Sequence, residues 1–316
     1  MYLILLVLPL ILLVLKFYVI LSAGICRSKN SMEGKVIIVT GANSGIGFET
    51  AKDLAARKGR VILACRSLER GQKAAKSIIK STGNDDVVVR HLDLSSLDSV
   101  RRFASEIINS EKRLDVLIHN AGMTPKPGKY LTEDNLELQF ASNHFGPFLL
   151  TNLLLDLLKK SAPSRIIVVS SVTHHWAKLD LDNLNCEKFE RHPYWVYCST
   201  KLANILFVRE LAKRLEGTGV TVNALHPGGV KTAIARNAQW FITYLIIPVI
   251  YIFLKDSKSG AQTSIYLAVS DEVKDTTGQY FVDCKPAWIS RSARDDVKAK
   301  KLWDLSEKFT GICSSG

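Results

Sequence analysis

Tyr197 and Lys201 stand four residues apart in YCSTKLANILFVRELAKR, residues 197–214. Leu202, Ile205, Leu206, Leu211 and Leu215 recur there at helical spacing, and Glu216-Gly217 with Gly219 punctuates the end. On a helix both side chains leave one face, about one turn apart. A phenol is a weak acid, with an unperturbed pKa of about 10. An ammonium alongside stabilises the phenolate and draws that value towards the range useful for proton transfer. Alone, Tyr-x-x-x-Lys usually means a packed ring beside a solvated charge. A second group of residues gives the pair its weight. Residues 35–40, KVIIVT, read as a buried strand that runs into Gly41-Ala-Asn43-Ser44-Gly45-Ile46-Gly47, with a helix expected over 48–57. Strand, glycine turn and helix in this order let backbone approach a pyrophosphate at a positive helix N-terminus. The spacing is Gly-x-x-x-Gly-x-Gly. A second strand, 60–64, ends at Cys65-Arg66 with no acid to hold ribose hydroxyls. An arginine there suits a 2′-phosphate, so NADP(H) is the expected cofactor.

These groups need elements to position them. A strand over 87–92 ends at Asp93-Leu94, and a helix covers 97–110. A strand over 114–118 runs into His119-Asn120-Ala121-Gly122, and a helix over 135–158 carries Asn143 in an apolar run. A strand over 165–169 delivers Ser170-Ser171, and one over 220–225 delivers His226-Pro227-Gly228-Gly229 and Thr232. Strands alternate with helices, and the polar and glycine residues follow the strands. That pattern predicts an α/β fold, a doubly wound parallel sheet (Rossmann-type) in one domain, with its site at the strand C-termini. Further on, a helix over 259–268, a strand over 278–282 and a polar amphipathic helix over 295–305 complete the domain.

The chain of 316 residues, 47% apolar, can bury a sizeable core. A net charge of +12 suggests nucleic acid, an anionic membrane surface or an anionic cofactor. The basic residues are dispersed, with no basic array interleaved with aromatics, which disfavours nucleic acid. Six cysteines lie scattered without C-x-x-C or Cys/His ligand spacing, which fits reduced thiols facing the cytosol rather than disulfides or a metal site. Residues 2–15 are unbroken apolar sequence, Lys16 interrupts it and 17–23 resume it. A helix through both runs is long enough for a bilayer, so residues 1–25 are expected to be an N-terminal transmembrane helix. A cleaved signal peptide is the rival, disfavoured by the missing basic residues ahead of the run. Arg27, Lys29 and Lys35 follow the run, which places the folded domain (34–312) on the cytosolic side.

Six motifs in order resemble the short-chain dehydrogenase/reductase family: Thr40-Gly41-x-x-x-Gly45-Ile46-Gly47, Asp93-Leu94, Asn120-Ala121-Gly122, Ser171, Tyr197-x-x-x-Lys201 and Pro227-Gly228. Ala64-Cys65-Arg66, Ser170-Ser171-Val-Thr-His174-His175, Tyr197-Cys-Ser-Thr-Lys201-Leu-Ala-Asn204 and Gly260-Ala-Gln-Thr-Ser264 resemble its membrane-anchored retinol dehydrogenases in particular. The resemblance implies retinal and retinol as substrates, NADP(H) as cofactor and an endoplasmic reticulum membrane location. It makes Tyr197 the general acid/base, with Lys201 lowering its pKa and holding the nicotinamide ribose. Ser171 would bind the reacting oxygen, with Ser170 as the alternative serine, and Asn143 would support a proton-relay water. Asp93 would meet adenine, Asn120 the adenosine ribose region and Thr232 the carboxamide or phosphate end. Asn43, Ser44, Leu94, Ala121, Gly122, Pro227, Gly228 and Val230 join the expected cofactor contacts. His119 departs from the family pattern, which most often has Asn there.

Other readings stay open at this point: a steroid or general lipid carbonyl reductase, or a non-catalytic NADP-binding scaffold at the membrane. Retention of Ser171, Tyr197 and Lys201 together disfavours the scaffold. Residues 240–254, WFITYLIIPVIYIFL, are intensely apolar but short for a span and broken by Pro248. Buried core is the ordinary reading; the expectation adopted is a lid or mouth that touches lipid and admits a long hydrophobic carbonyl compound.

Overall fold

β1 (Val36–Thr40, VIIVT) is buried at every position, as a central parallel strand covered on both faces must be. In the computed structural model the described residues are 23–312 except 125–127, 129, 188–191 and 231–253. Nearly all of the expected membrane anchor, Thr232, and all but the last residue of the 240–254 run therefore lie outside the described residues. Among the described residues no helix is long and apolar enough to cross a membrane.

β1 pairs in parallel with β2 (Arg60–Cys65) on one side and with β4 (Val116–His119) on the other. β3 (Val87–His91) flanks β2, while β5 (Ser164–Val169), β6 (Val220–His226) and β7 (Tyr280–Val282) continue beyond β4. A two-residue strand, β8 (Lys285–Pro286), closes that edge antiparallel to β7. The chain leaves β1 for β2 and returns across it to β4, so the loops after β1 and β4 diverge. A crevice opens between them at the carboxyl ends of the strands.

Alternate side chains of each strand enter different cores, as the pleat requires. Ile37, Val39, Val61 and Leu63 meet α1 (Gly45–Ala56), α2 (Leu68–Thr82) and α6 (Ser257–Val269). Ile38, Ile62 and Leu117 meet α3 (Leu97–Ser110), α4 (Gly146–Lys160), α5 (Pro193–Arg214) and α7 (Asp296–Thr310). Both faces are covered, which explains why the central strands read as continuous apolar runs.

Three departures from the sequence reading have local causes. The helix expected over 135–158 instead starts with one α turn, Leu138–Phe140, passes through a π-helical turn, Ala141–Phe145, and continues as α4. Asn135 adopts φ +57°, which a helix cannot contain. The π turn sits where the chain squeezes past its neighbour: a Cβ on Gly146 would come within 2.2 Å of the Leu94 carbonyl oxygen. The helix bearing Tyr197 begins four residues earlier than expected, at Pro193, with the His192 side chain accepting from the Tyr194 amide. β8 escaped the sequence reading because it is two residues long, turned by Asp283 and Cys284 at φ +52° and +60°.

Candidate active site

The crevice between the ends of β1 and β4 is a cleft of about 590 Å³. Gly41, Asn43, Ser44, Gly45, Ile46, Gly47, Arg66, Asp93, Leu94, Asn120, Ala121 and Gly122 all line it. Two of the glycines are needed for close approach. A Cβ on Gly41 (φ +67°) would meet Ala121 at 3.1 Å. One on Gly47 would lie 2.4 Å from Asn120 Nδ2 and 2.7 Å from the Gly41 carbonyl oxygen. The two loops are stitched together by Thr40, whose hydroxyl accepts from the Asn120 and Ala121 amides, both at 3.0 Å. Asn120 spends its own side-chain amide on the Thr40 carbonyl at 2.9 Å. It therefore acts within the fold as a brace that shapes the cleft wall.

Cations stand at the outer end of the cleft. Arg66 follows β2 directly, and Arg70 lies one helical turn later, beyond the Ser67 cap of α2. The neighbouring acid, Glu69, faces Lys73 at 2.6 Å, and among the described residues no ion pair joins either arginine to an acid. Sequence reasoning missed Arg70; its signal was its position one turn from Arg66. Ser67, Met123, Ser142 and Ser257 also line the cleft without having been anticipated, as does Thr40, which the motif included without assigning it a contact. Thr40 alone had a signal, as the last residue of the strand that enters the glycine turn.

The other end of the site is buried. Lys201 is 2% exposed, and its Nζ donates to the Val169 carbonyl oxygen at 2.9 Å. A Cβ on Gly122 would come within 3.2 Å of that Nζ, so the cleft floor and the ammonium touch at a glycine. Burial lowers the Lys201 pKa to about 8 and raises that of the Tyr197 phenol to about 12, the latter opposed by a hydrogen bond with Ser171. The ammonium lies 5.5 Å from the centroid of the Tyr197 ring. The sequence expectation of a phenol with a lowered pKa is thus reversed here.

The two serines separate cleanly. Ser170 is 2% exposed and donates to the Lys201 carbonyl at 2.7 Å, anchoring β5 to α5. Ser171 is the one beside Tyr197, and its backbone carbonyl accepts from His174 Nδ1 at 2.7 Å. Asn143 is fully engaged: its Oδ1 accepts from the Met123 amide at 2.9 Å, and its Nδ2 donates to the Met123 carbonyl at 2.9 Å and to Thr200 Oγ1 at 3.2 Å. Thr200 in turn donates to the Tyr197 carbonyl at 2.8 Å. The Asn143 side chain is a bracket between the loop after β4 and the helix of Tyr197.

His119 donates from Nε2 to Thr151 Oγ1 at 2.7 Å, since that hydroxyl is itself committed to the Pro147 carbonyl. Burial lowers its pKa to about 3, so it stays neutral. Pro227, Gly228 and Val230 were expected against the cofactor, as were Tyr197 and Lys201, yet none of the five lines the cleft. The first three follow β6, where Val230 bridges Lys255, and a Cβ on Gly228 (φ +86°) would meet the Lys255 side chain at 3.0 Å. Among the described residues no group of three or more His, Cys, Asp or Glu is placed to hold a metal ion.

One end of this arrangement can bind phosphates through backbone amides and cations. The other can pass a proton between a buried phenol and an oxygen placed beside Ser171. The family profile for short chain dehydrogenase matches residues 35–240. Retinol dehydrogenase 13 of Homo sapiens is 47% identical over 302 residues, covering 94% of this chain and 90% of that protein. Retinol dehydrogenase 11 of Mus musculus is 46% identical over 313 residues, covering 98% of each. Among solved structures, the Pseudomonas aeruginosa RhlG/NADP active-site complex superposes with a TM-score of 0.64 at 26% identity, covering 79% of this chain and 95% of that one.

Proposed function

We propose, from the premise that this chain belongs to the short chain dehydrogenase family and is an oxidoreductase of its retinol dehydrogenase group, that it interconverts retinal and retinol with NADP(H). The observation that carries the reading is the grouping of Ser171, Tyr197 and Lys201 just behind a phosphate-type cleft, whose wall at Gly122 meets the Lys201 ammonium. The residues lining the cleft would hold a nicotinamide cofactor, which would supply hydride to a carbonyl carbon when bound. Arg66 and Arg70, exposed and without acidic partners among the described residues, favour the 2′-phosphorylated cofactor.

The protein's own groups handle the proton. Tyr197 donates from its phenol to the carbonyl oxygen as negative charge develops there, and a pKa near 12 keeps it protonated at neutral pH. Ser171 holds the phenol by a hydrogen bond and is placed to hold the same oxygen. Lys201, with a pKa of about 8, is mostly cationic at neutrality and offsets the charge left on Tyr197. The N-terminal apolar run is read as an endoplasmic reticulum anchor with the domain facing the cytosol.

The test is turnover by purified full-length protein with retinal, a keto-steroid and a short aldehyde, each with NADPH and NADH. Retinal reduction with NADPH in clear excess over the other pairs is expected. Preference for the steroid would move the protein to the lipid carbonyl reductases. Absence of turnover with every pair would leave only a nucleotide-binding role.

A further inference from the structure

The apolar N-terminal run ends at a fixed point on the catalytic domain. Gly24 lies so tightly on Asp283 that a Cβ there would come within 2.1 Å of the Asp283 carbonyl. The Gly24 amide donates to Asp283 Oδ1 at 3.2 Å. From there residues 24–32 form a strap along α6 and the end of α1. The Cys26 amide donates to Gln262 Oε1 at 3.0 Å, and Asn30 Nδ2 donates to the Val269 carbonyl at 2.9 Å. Arg57 Nη1 holds the Ser28 and Asn30 carbonyls at 2.9 and 3.0 Å. Bonds along its whole length give this strap one orientation on the domain.

Asp283 follows β7 immediately, at the carboxyl edge of the sheet. β5, β6 and β7 are neighbours, so the end of β7 lies about 10 Å from the end of β5 at ordinary strand spacing. The end of β5 carries Ser171. The same edge exposes large apolar side chains beside the reactive pair. Val172 and Trp176, on the turn after Ser171, are 40% and 53% exposed. Tyr194 and Trp195, on the first turn of the Tyr197 helix, are 42% and 50% exposed and meet edge to face at 5.2 Å. The two elements are bound together, Ser199 Oγ donating to the Lys178 carbonyl at 3.3 Å. Ile25 adds a side chain 67% exposed at the start of the strap. Grouped aromatic exposure of this kind marks an interaction surface, and Trp and Tyr suit the boundary between lipid and water.

We propose that the β5–β7 end of the sheet edge is a bilayer-facing surface, with Trp176 and Trp195 seated at the lipid interface beside Tyr197. The surface rests on the reading that the residues before Gly24 are held in a membrane. A hydrophobic aldehyde would then pass from lipid to the phenol without crossing water. The cofactor cleft, at the ends of β1–β4, stays on the aqueous side. The exposed Arg27 and Lys29 stand where anionic headgroups would meet them.

The experiment uses full-length protein in phosphatidylcholine vesicles with brominated acyl chains, in a Trp240→Phe background, reading tryptophan quenching. Trp176→Phe/Trp195→Phe should lose the larger part of the quenched emission while NADPH binding persists. Gly24→Val should stay on the vesicles and bind NADPH but lose quenching, because the strap can no longer seat on Asp283. Unchanged quenching in either variant would overturn the surface. So would a wild-type rim shielded from lipid while the protein self-associates, which would assign the rim to a second copy. Release of the whole chain from vesicles would overturn both the surface and the membrane reading. Retained quenching without retinal turnover would instead leave the surface standing and remove the substrate assignment.

Discussion

The two ends of one sheet edge solve opposite problems. At the ends of β1, β2 and β3 the cations are exposed arginines in contact with water, and the shape comes from glycines and backbone amides. At the ends of β5 and β6 the groups are buried and joined in closed networks, and burial decides their protonation. The first end can stay charged because solvent screens it, so it holds an anion at little desolvation cost. The second keeps a lysine 2% exposed and a phenol that stays protonated, so its chemistry depends on being desolvated. Binding there tolerates change group by group; proton transfer does not.

The sharpest break in that comparison is Tyr197→Phe. It removes the proton donor and leaves the cleft's lining intact. Turnover should fall about 10²- to 10⁴-fold, the usual worth of general acid catalysis, while NADPH affinity stays within about twofold. Steady-state kinetics with fluorescence titration of NADPH checks both. A variant that keeps substantial activity would show that the phenol is not the acid.

The next effect concerns acid, and it belongs to the buried histidines. Burial lowers the pKa of His144, His174 and His226 to about 4 and that of His119 to about 3, against an ordinary value near 6.5. Their contribution to stability is fully present above about pH 6.5. Below that the unfolded chain takes up protons that the native histidines refuse, so stability drains away towards pH 4. Each tenfold weakening of a histidine's proton binding on folding corresponds to about 1.4 kcal/mol, and Tm should fall steeply between pH 6.5 and 4.5. His144→Gln should flatten the slope by one proton's worth, even though it disturbs the contacts to Asn204 at 3.4 Å and Ser306 at 3.0 Å. Calorimetry across that pH range reads the slope directly.

The contrast also explains what sequence could reveal. The glycine turn, Asp93-Leu94 and Asn120-Ala121-Gly122 are local motifs, and every one of those residues expected at the cofactor lines the cleft. The parallel sheet was equally legible, because strands covered on both faces carry unbroken apolar runs. The buried end depends on contacts distant in sequence. That Ser170 is spent on the Lys201 carbonyl, and that Lys201 faces Val169, is decided by how β5 packs on α5. Neither fact has a spacing signature. The π turn around Asn143 was hidden for the same reason, since it sits where the Leu94 backbone lies against Gly146. Arg70 was a different kind of miss, for it sat one turn from a residue already chosen.

At the exposed end, Arg66→Ala tests whether recognition there is a matter of charge. One charge-assisted hydrogen bond to phosphate is worth about 1.5–3 kcal/mol, so NADPH affinity should fall roughly ten- to a hundredfold while NADH binding barely changes. Arg70→Ala should repeat the pattern more weakly if the two share the phosphate. Isothermal titration with both cofactors gives the ratio. Equal losses for NADPH and NADH would mean that Arg66 supports the loop rather than the phosphate.

The smallest expected effect comes from setting one ion pair of each end against the other. Lys73 and Glu69 meet at 2.6 Å on α2 with side chains 74% and 76% exposed. Water and salt screen such a pair, so Lys73→Ala should change stability by less than about 0.5 kcal/mol. Lys255 and Asp283 form the counterpart at the buried end, where the Lys255 side chain is only 9% exposed. Asp283→Asn would strand that ammonium away from water and also weaken the acceptor of the Gly24 amide. A cost of about 1–3 kcal/mol follows from leaving a buried polar group poorly paired. Urea denaturation of the two variants side by side measures the gap. If Lys73→Ala cost as much as Asp283→Asn, solvent exposure would not be what separates the two ends. The division would then have to rest on the glycine-built shape of the cleft alone.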